Sequence, residues 1–402
     1  MTGADAEVIV VGGGPAGSVT AALLAARGHR VLLFDKARFP RHKACSEYIN
    51  PAGARLLHRL GLAADLERLG AHRMEGMLIH APGGARFLAD FLAVPDGNGA
   101  VGLSRYHLDT LLLDRARAAG VEVREGAHVR GLIMANGAVH GVEISSDGMR
   151  ERVRAPLTIG ADGRHGVVAR TLHLSRPLSW LRRTGLVAHY RGVRGLDRWG
   201  EMHVTSCGYA GLAPLEDGLA NVALVTASDT ISGRDLPLEE YFARGLAAIP
   251  ALAAKLASAE RVGGIRGVGP MAQRAQRVAG DGFLLVGDAA SFLDPFTGDG
   301  IAEALLGATL AAPIASAALQ SGKISARFLA PYVAARERAF RSKRAVAWLV
   351  QGFIANSSGM DYAVSRLAVR PDDAITLAGV LGGIAPASAA LSPRFLARLL
   401  RP

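Results

Sequence analysis

A glycine-rich turn near the start of the chain has the residue types and spacing that bind a dinucleotide. Gly12, Gly14 and Gly17 follow an apolar run and precede a stretch rich in alanine and leucine. In this pattern the first glycine permits a sharp turn, the second lets the backbone approach a pyrophosphate, and the third lets the helix pack on the strand. Asp35 lies 18 residues after Gly17, where an acid at a strand end can bind a ribose diol. An ordinary glycine-rich turn does not explain that acid, so the pattern predicts a dinucleotide site.

Two later segments repeat the combination of an apolar strand with an aspartate beside a glycine. Residues 157–161 end at Asp162 and Gly163, and residues 282–286 end at Gly287 and Asp288. NAD and FAD share the first glycine pattern, so that pattern alone does not choose between them. The choice depends on these two segments, and we expect all three turns to converge on one molecule.

The elements that position these turns follow from hydrophobic periodicity. Residues 7–35 form the sequence pattern of a βαβ unit, with strand, glycine turn, helix and strand in order. A hairpin is predicted within residues 77–91, and three strands of a meander are predicted between residues 121 and 144. Residues 238–256 predict one helix, and a long helix is predicted over residues 300–319.

In its three ordered glycine–aspartate motifs the chain resembles the FAD-dependent oxidoreductases of the p-hydroxybenzoate hydroxylase fold, and among them the geranylgeranyl-reductase-like branch. The resemblance implies an α/β fold in which a Rossmann-like FAD-binding domain carries a β-sheet substrate domain and C-terminal helices. The implied boundaries are 1–75, 101–180 and 270–330 for the FAD-binding domain, 76–100 and 181–269 for the substrate domain, and 331–402 for the C-terminal helical region.

The same resemblance implies which residues hold FAD. The first glycine turn takes the pyrophosphate, Asp35 the adenosine ribose, the backbone at Val129 the adenine, and Asp288 the ribityl chain, while Arg105 reaches the flavin side of the cofactor. The implied cofactor-binding residues are Gly12, Gly14, Pro15, Ala16, Gly17, Asp35, Lys36, Cys45, Arg105, Val129, Asp162, Gly163, Gly287, Asp288, Pro295, Gly298, Gly300 and Ile301.

The loop before the long helix has the composition to lie flat against the flavin ring. Gly298 and Gly300 carry no side chains, and Gly300 opens the helix. Backbone N–H groups at a helix N-terminus stabilise negative charge. Reduced flavin is anionic at N1, so we expect this loop to stabilise the reduced form.

Candidate catalytic residues come from the segment after the second strand, residues 41–51, which looks like the segment that passes the substrate side of the flavin in the geranylgeranyl-reductase-like branch. By that resemblance Cys45 and Glu47 are candidates, and Tyr209 joins them from the substrate domain. His189 is a further candidate base, and a purely structural role is the alternative for each residue. Cys207 is expected on a strand of the same pocket, which raises the hypothesis of a Cys45–Cys207 redox pair.

The predicted reaction depends on residues 209–214. Geranylgeranyl reductases resemble Tyr-x-Trp-x-Phe-Pro here, whereas this chain keeps Tyr209 and Pro214 but has Gly211 and Ala213 in place of the two large aromatics. The wider pocket suits a bulky ring, and the halogenase Trp-x-Trp-x-Ile-Pro signature is absent. The leading hypothesis is an NAD(P)H-dependent flavin monooxygenase that hydroxylates a hydrophobic aromatic or polyketide-derived molecule. The alternatives are a geranylgeranyl-reductase-type C=C reductase and a non-catalytic flavoprotein or carrier-protein-binding module.

Composition narrows the partners and the compartment. The net charge is +11 without a run of five basic residues, which disfavours nucleic acid and suits an anionic cofactor or an acidic carrier of a hydrophobic small-molecule substrate. Two cysteines suit a reducing cytoplasm. The basic, amphipathic end at residues 395–401 predicts a docked terminal helix, with peripheral membrane contact as the alternative. No second nucleotide motif is present for the NAD(P)H donor, and no metal-ligand set is predicted.

Overall fold

The computed structural model describes residues 4–400 as helices and strands arranged around two large sheets. The strands are β1 Val8–Val11, β2 Val31–Asp35, β3 Tyr48–Ile49, β4 His72–Met74, β5 Gly76–His80, β6 Arg86–Asp90, β7 Ala100–Gly102, β8 Glu122–Glu125, β9 His128–Ala135, β10 Ala138–Ser146, β11 Met149–Arg154, β12 Leu157–Gly160, β13 Ser175–Pro177, β14 Arg183–Arg191, β15 Trp199–Thr205, β16 Gly208–Pro214, β17 Leu219–Ala227, β18 Glu260–Val268, β19 Gln273–Ala275, β20 Ala279–Gly280, β21 Phe283–Leu285 and β22 Ser291–Phe292. The helices are α1 Pro15–Ala25, α2 Pro51–Arg59, α3 Ala63–Arg68, α4 Arg105–Ala118, α5 Val167–Thr171, α6 Ser228–Ser232, α7 Leu238–Ala247, α8 Pro250–Leu256, α9 Gly300–Ser321, α10 Ala326–Ile354, α11 Ser357–Ala368, α12 Pro371–Leu381 and α13 Pro393–Leu400.

The six-stranded sheet has the order β20-β21-β12-β1-β2-β8 and is parallel except for β20. Its central strands are buried on both faces, which explains why they are continuous apolar runs in the sequence. One face of β1 packs through Val8 and Val10 on α1, α4, α9 and α10. The other face packs through Ile9 and Val11 on α5 and the sheet formed by β9, β10 and β11. The predicted α/β fold class is confirmed.

The seven-stranded sheet has the order β18-β14-β17-β16-β15-β5-β6, and β15 with β5 is its one parallel pair. One face is covered by α6, α7 and α8. The opposite face packs toward the loop before α9 and toward the C-terminal helices. The hairpin predicted within residues 77–91 is present as β5 and β6.

Two sequence-based expectations about elements are wrong. The segment predicted as the first strand of a meander is β8, which instead extends the six-stranded sheet beside β2, and the three-stranded sheet is formed by β9, β10 and β11. Residues 238–256 form two helices because Pro250 begins α8, where its missing N–H group ends the preceding hydrogen-bonded helix.

Helix α9 is the one described helix that is long and apolar enough to cross a membrane by length and composition. Most of its apolar stretch is buried, and its alanines pack in the core beside those of α1. Burial of this kind is what a core helix requires.

Candidate functional site

The predicted glycine–aspartate turns lie side by side at one edge of the six-stranded sheet. They follow β1, β2, β12 and β21, whose carboxyl ends meet at that edge because the four strands are adjacent and parallel. Backbone hydrogen bonds join neighbouring turns: Gly12 N–H donates to the carbonyl of Phe34 (2.7 Å), and Ala161 N–H donates to that of Val11 (2.8 Å). The open edge of such a sheet is where ligands bind in this class of fold.

The first glycine turn has the shape of a phosphate cradle. A Cβ on Gly12 would lie 2.6 Å from the Ala161 carbonyl oxygen, and one on Gly17 would lie 1.8 Å from the Gly12 carbonyl oxygen. Both positions therefore require glycine. A Cβ on Gly14 would have Nη2 of Arg105 as its nearest neighbouring heavy atom, at 3.6 Å. Helix α1 begins next to this space without a side-chain cap or an acid in its first turn, so its N-terminal N–H groups can receive a diphosphate.

Asp35 holds the turn in place. Its Oδ2 accepts from Gly13 N–H (2.7 Å) and its Oδ1 accepts from Ala37 N–H (2.8 Å). Each carboxylate oxygen retains acceptor capacity for a ribose hydroxyl. Lys36 is exposed beside it, and the carbonyl of Asp35 accepts from Ala127 N–H (3.0 Å), which brings the strand that carries Val129 to the same end of the groove.

An excess of positive charge surrounds the cradle. Arg105 is buried and forms two hydrogen bonds with Asp109 (2.6 and 2.7 Å), and Arg41 lies 2.8 Å from the same carboxylate. Burial alone would lower the pKa of Arg105, but Asp109 and Cys45 hold it above its ordinary value. Lys43 is an exposed third cation, with the charges of Asp288 and Asp109 nearby. Three cations therefore lie beside the cradle, which suits a dianionic pyrophosphate.

The second aspartate turn contains an unsatisfied acceptor. Asp162 Oδ2 accepts from Val167 N–H (2.6 Å), while Oδ1 is buried and has no hydrogen-bond partner among residues 4–400. Burial raises the pKa of this carboxyl to about 6. A Cβ on Gly166 would lie 2.2 Å from Oδ1, so this chain has glycine because the carboxylate occupies that space. A buried acceptor of this kind indicates a donor that FAD can supply.

The loop before α9 is shaped as the sequence predicts. Gly298 adopts the left-handed conformation, with φ of 68°, and a Cβ there would lie 2.3 Å from the Tyr48 ring. Asp294 accepts from Phe296 N–H (3.0 Å), which fixes the turn that contains Pro295. Gly300 begins α9, and Ile301 is buried behind it. The N-terminus of α9 therefore faces the same groove as α1, and the residues present fit a flavin dinucleotide.

Glu47 is the centre of a buried polar group at the pocket side of the groove. Its carboxylate accepts from Arg105 N–H (2.7 Å) and from Asn221 Nδ2 (2.9 Å), and it lies 2.5 Å from Nε2 of His189. Glu47 has φ of 56°, a conformation that costs a residue with a side chain about 1–3 kcal/mol. Asn221 also donates to the carbonyl of Cys45 (2.8 Å). The backbone is held in an unfavourable conformation because three donors converge on this one carboxylate.

The structure brings together Cys45, Glu47 and His189 but places Tyr209 elsewhere. Tyr209 lies on β16, four residues from Ala213, and this separation is about 13 Å along the strand. Ala213 is the residue that pairs with Asn221. The Tyr209 hydroxyl donates to Asp294 (2.6 Å), and burial with that carboxylate raises its pKa well above the usual range. Tyr209 therefore anchors the loop before α9, and its catalytic assignment stays a prediction.

The expectation for Cys207 is wrong. Cys207 is exposed in the turn between β15 and β16 rather than on a strand of the pocket. That turn is at the Tyr209 end of the sheet, whereas Cys45 contacts Asn221 near the other end. A disulfide requires Cα atoms within about 7 Å, so the two cysteines do not form a redox pair in this structure.

Gly211 and Ala213 share a sheet face with Asn221. Residues on alternate positions of a strand face the same side, and Ala213 pairs with Asn221, which touches Cys45. A Cβ on Gly211 would lie 3.1 Å from Sδ of Met202. The wall that faces the groove therefore has two small residues, Gly211 and Ala213, beside the flexible Met202, with Tyr209 farther along the same face.

Sequence reasoning missed several residues of the site. Arg41 and Asp109 complete the charge arrangement around Arg105, and Asn221 positions Glu47. His42 places its ring 5.6 Å from that of His189. In the register of β14 and β17, His189 pairs with Asn221, and this register is what places His189 beside the residue that positions Glu47. The register depends on contacts between segments far apart in the chain, so the sequence alone does not reveal it.

Comparisons with known proteins agree with this geometry. A family model described as FAD binding domain matches residues 5–348. Digeranylgeranylglycerophospholipid reductase 2 of Methanopyrus kandleri is 34% identical over 340 residues, which cover 81% of each chain. The 6-methylpretetramide 4-monooxygenase of Streptomyces rimosus is 29% identical over 409 residues, which cover 93% of this chain and 89% of that protein. The solved structure of a flavin-dependent brominase has a TM-score of 0.82 over 94% of this chain and 93% of its own at 22% identity, which shows a shared fold.

Proposed function

The chain belongs to the family of the FAD binding domain, and from this premise we propose that it is an NAD(P)H-dependent monooxygenase that hydroxylates a hydrophobic aromatic or polyketide-derived substrate. The family resemblance drawn from the sequence is confirmed, and the chain is an FAD-binding flavoprotein related to reductases, monooxygenases and halogenases. The reaction itself is the proposal.

The observation that carries the proposal is the buried pair of Glu47 and His189 beside a wall of small residues. His189 Nε2 is held by Glu47 at 2.5 Å, and no hydrogen bond within the described chain involves its Nδ1. A carboxylate on one ring nitrogen fixes the tautomer and stabilises the imidazolium that forms when the other nitrogen takes a proton. Nδ1 is thus suited to accept the proton of a phenolic hydroxyl, which makes the ring carbon a better nucleophile.

FAD, once bound and reduced by NAD(P)H, supplies the activation of O₂ and the transfer of one oxygen atom to carbon. The protein contributes the remaining steps. Arg105, Lys43 and the N-terminus of α1 bind the diphosphate, and the N-terminus of α9 stabilises the negative charge on the reduced ring. Gly211 and Ala213 place no large side chain on the wall beside Asn221, and the apolar residues around them would exclude water from the reaction.

Consumption of NAD(P)H and O₂ in the presence of candidate substrates tests this proposal. We expect a phenolic polyketide to stimulate oxidation of the nicotinamide, with O₂ consumed in step with a product heavier by one oxygen atom. Product formation under strict anaerobiosis would contradict the proposal.

A C=C reductase is the second candidate, favoured by an apolar cavity of about 70 Å³ behind Phe296. The cavity is lined only by apolar side chains of β5, β6, the loop before α9 and helices α10 to α13, which fits an isoprenoid chain better than a phenol. The anaerobic assay with a polyprenyl lipid distinguishes the two: a saturated product formed without O₂ supports the reductase, whereas an absolute need for O₂ supports the monooxygenase.

A further inference from the structure

Three metal-ligating side chains lie together on the face of the seven-stranded sheet opposite the pocket wall. His80 comes from β5, and Glu201 and His203 come from β15, where they alternate with the pocket-facing Met202. One ligand atom of each lies within 4.8 Å of the others. Two ligands of a tetrahedral Zn²⁺, each bound at about 2.0–2.2 Å, are roughly 3.5 Å apart. The three ligand atoms therefore have to approach one another by up to about 1.3 Å, which requires rotation of the side chains.

One nitrogen of this group has no partner. Nε2 of His80 is buried and makes no hydrogen bond within the part of the chain that the structure describes. A neutral imidazole nitrogen with a free lone pair is the form that binds metal ions. A buried nitrogen without a partner is rare unless something else satisfies it.

The carboxylate of Glu201 makes two contacts, one through each oxygen. Glu201 Oε1 lies 2.9 Å from Nζ of Lys255, and Oε2 lies 3.0 Å from Nε2 of His203. Lys255 is held in turn by the carbonyl of Gly195 (2.9 Å). Lys255 thus occupies one oxygen of the carboxylate and leaves the other beside His203.

The two rings are stacked, with centroids 4.2 Å apart and 11° between their planes. A single ion lies near the plane of each imidazole that binds it, so His80 and His203 must turn out of the stack when an ion enters. His80 is half-buried and can rotate about its side-chain bonds. The charge of Lys255 opposes a second cation, and we expect micromolar rather than nanomolar affinity for that reason.

We propose that His80, Glu201 and His203 form a binding site for a divalent transition-metal ion such as Zn²⁺, with water completing the coordination. The proposal is independent of the reaction at the flavin. The ion joins β5 to β15, the parallel pair that connects segments more than 100 residues apart in the chain. It stabilises the seven-stranded sheet, because a ligand that binds only the folded state raises the free energy of unfolding. The sequence predicts no metal-ligand set because these histidines lie far apart in the chain, and that expectation stays a prediction.

Titration of the FAD-loaded protein with Zn²⁺ against a chromophoric chelator, together with thermal unfolding, tests the site. We expect one Zn²⁺ per chain and a higher melting temperature. His80→Ala and His203→Gln should each weaken binding at least about tenfold and remove the thermal shift, whereas His58→Ala, at an exposed position of α2, should change neither. With Co²⁺ as the probe, the visible spectrum should show nitrogen and oxygen ligands without a thiolate charge-transfer band.

Any of three results would overturn the site. The first is that Zn²⁺ does not bind in a one-to-one ratio. The second is that binding survives both histidine substitutions, because the ion would then bind elsewhere on the protein, and the third is a Co²⁺ thiolate band, because the ion would then bind a cysteine such as Cys45. If His203→Gln does not fold, the His80→Ala protein decides the question alone, since His80 is only half-buried.

Discussion

Glu47 has an unfavourable backbone conformation that the hydrogen bonds of its side chain hold in place. Its backbone is left-handed although it carries a side chain, and its carboxylate receives donors from α4, β14 and β17. These contacts fix the one carboxylate that can orient His189. We therefore assign proton transfer to His189 and positioning to Glu47 and Asn221.

Replacing His189 with glutamine tests this assignment. Glutamine can donate to Glu47 and keep the local structure, but it cannot take up a proton. We expect kcat for hydroxylation to fall about 100-fold or more, with the flavin spectrum unchanged. An equal loss in His58→Gln would contradict the role.

Glu303 provides a second prediction at the residue scale. It lines a cavity of about 220 Å³ at the start of α9, and burial together with Asp299 raises its pKa to about 7 despite Lys343. The unfolded chain, with a pKa near 4.5, releases this proton first, so stability is lost as the pH rises from about 4.5 to 7. Glu303→Gln should closely match the unmodified protein at pH 4 and be more stable by about 1–3 kcal/mol at pH 8. Chemical denaturation at both pH values measures this, with exposed Glu67→Gln as the control; an equal effect at both would refute it.

At the scale of elements, the wall formed by β16 and β17 determines which substrates fit. Gly211 lies on the pocket face against the flexible Met202, so a large ring at this position displaces the methionine and fills the pocket. Gly211→Trp should therefore lower kcat/KM for fused-ring substrates by tenfold or more while FAD binding is kept. Gly264→Trp, which adds the same ring at an exposed position of β18 with open space around it, should have no effect. Unchanged selectivity in Gly211→Trp would show that this wall does not contact the substrate.

The elements also show what could be predicted from the sequence. The turn at Gly12, the strand ends at Asp35 and Asp288, and the start of α9 at Gly300 follow from local rules, because glycine and aspartate act through neighbouring backbone. Strand β8 could not be placed, since its partner β2 is selected by packing rather than by the nearest hairpin. For the same reason the sequence does not reveal that His189 pairs with Asn221 or that His80 pairs with His203. The expectation for Cys207 is wrong because the chain turns at this residue, between β15 and β16, where the sequence predicts a continuous strand pattern.

At the scale of the whole molecule, segments that are distant in sequence build both faces of the pocket. The glycine turns come from the six-stranded sheet, Cys45 and Glu47 come from the segment after β2, and the opposite wall comes from β14, β16 and β17. The net charge of +11 includes the cations around the cradle, and it suits an anionic dinucleotide. The proposed monooxygenase chemistry depends on one flavin lying between these faces.

The FAD content of purified Gly14→Val measures that dependence most directly. Gly14 has an extended backbone with φ of −77°, and a Cβ there would lie at an ordinary contact distance, 3.6 Å, from Nη2 of Arg105. Valine can therefore be accommodated in the folded chain, but it occupies the space assigned to the pyrophosphate. The account predicts one FAD per chain in the unmodified protein and in Gly352→Val, a matched exposed glycine of α10, and a folded but colourless Gly14→Val. Full FAD occupancy in folded Gly14→Val would contradict it.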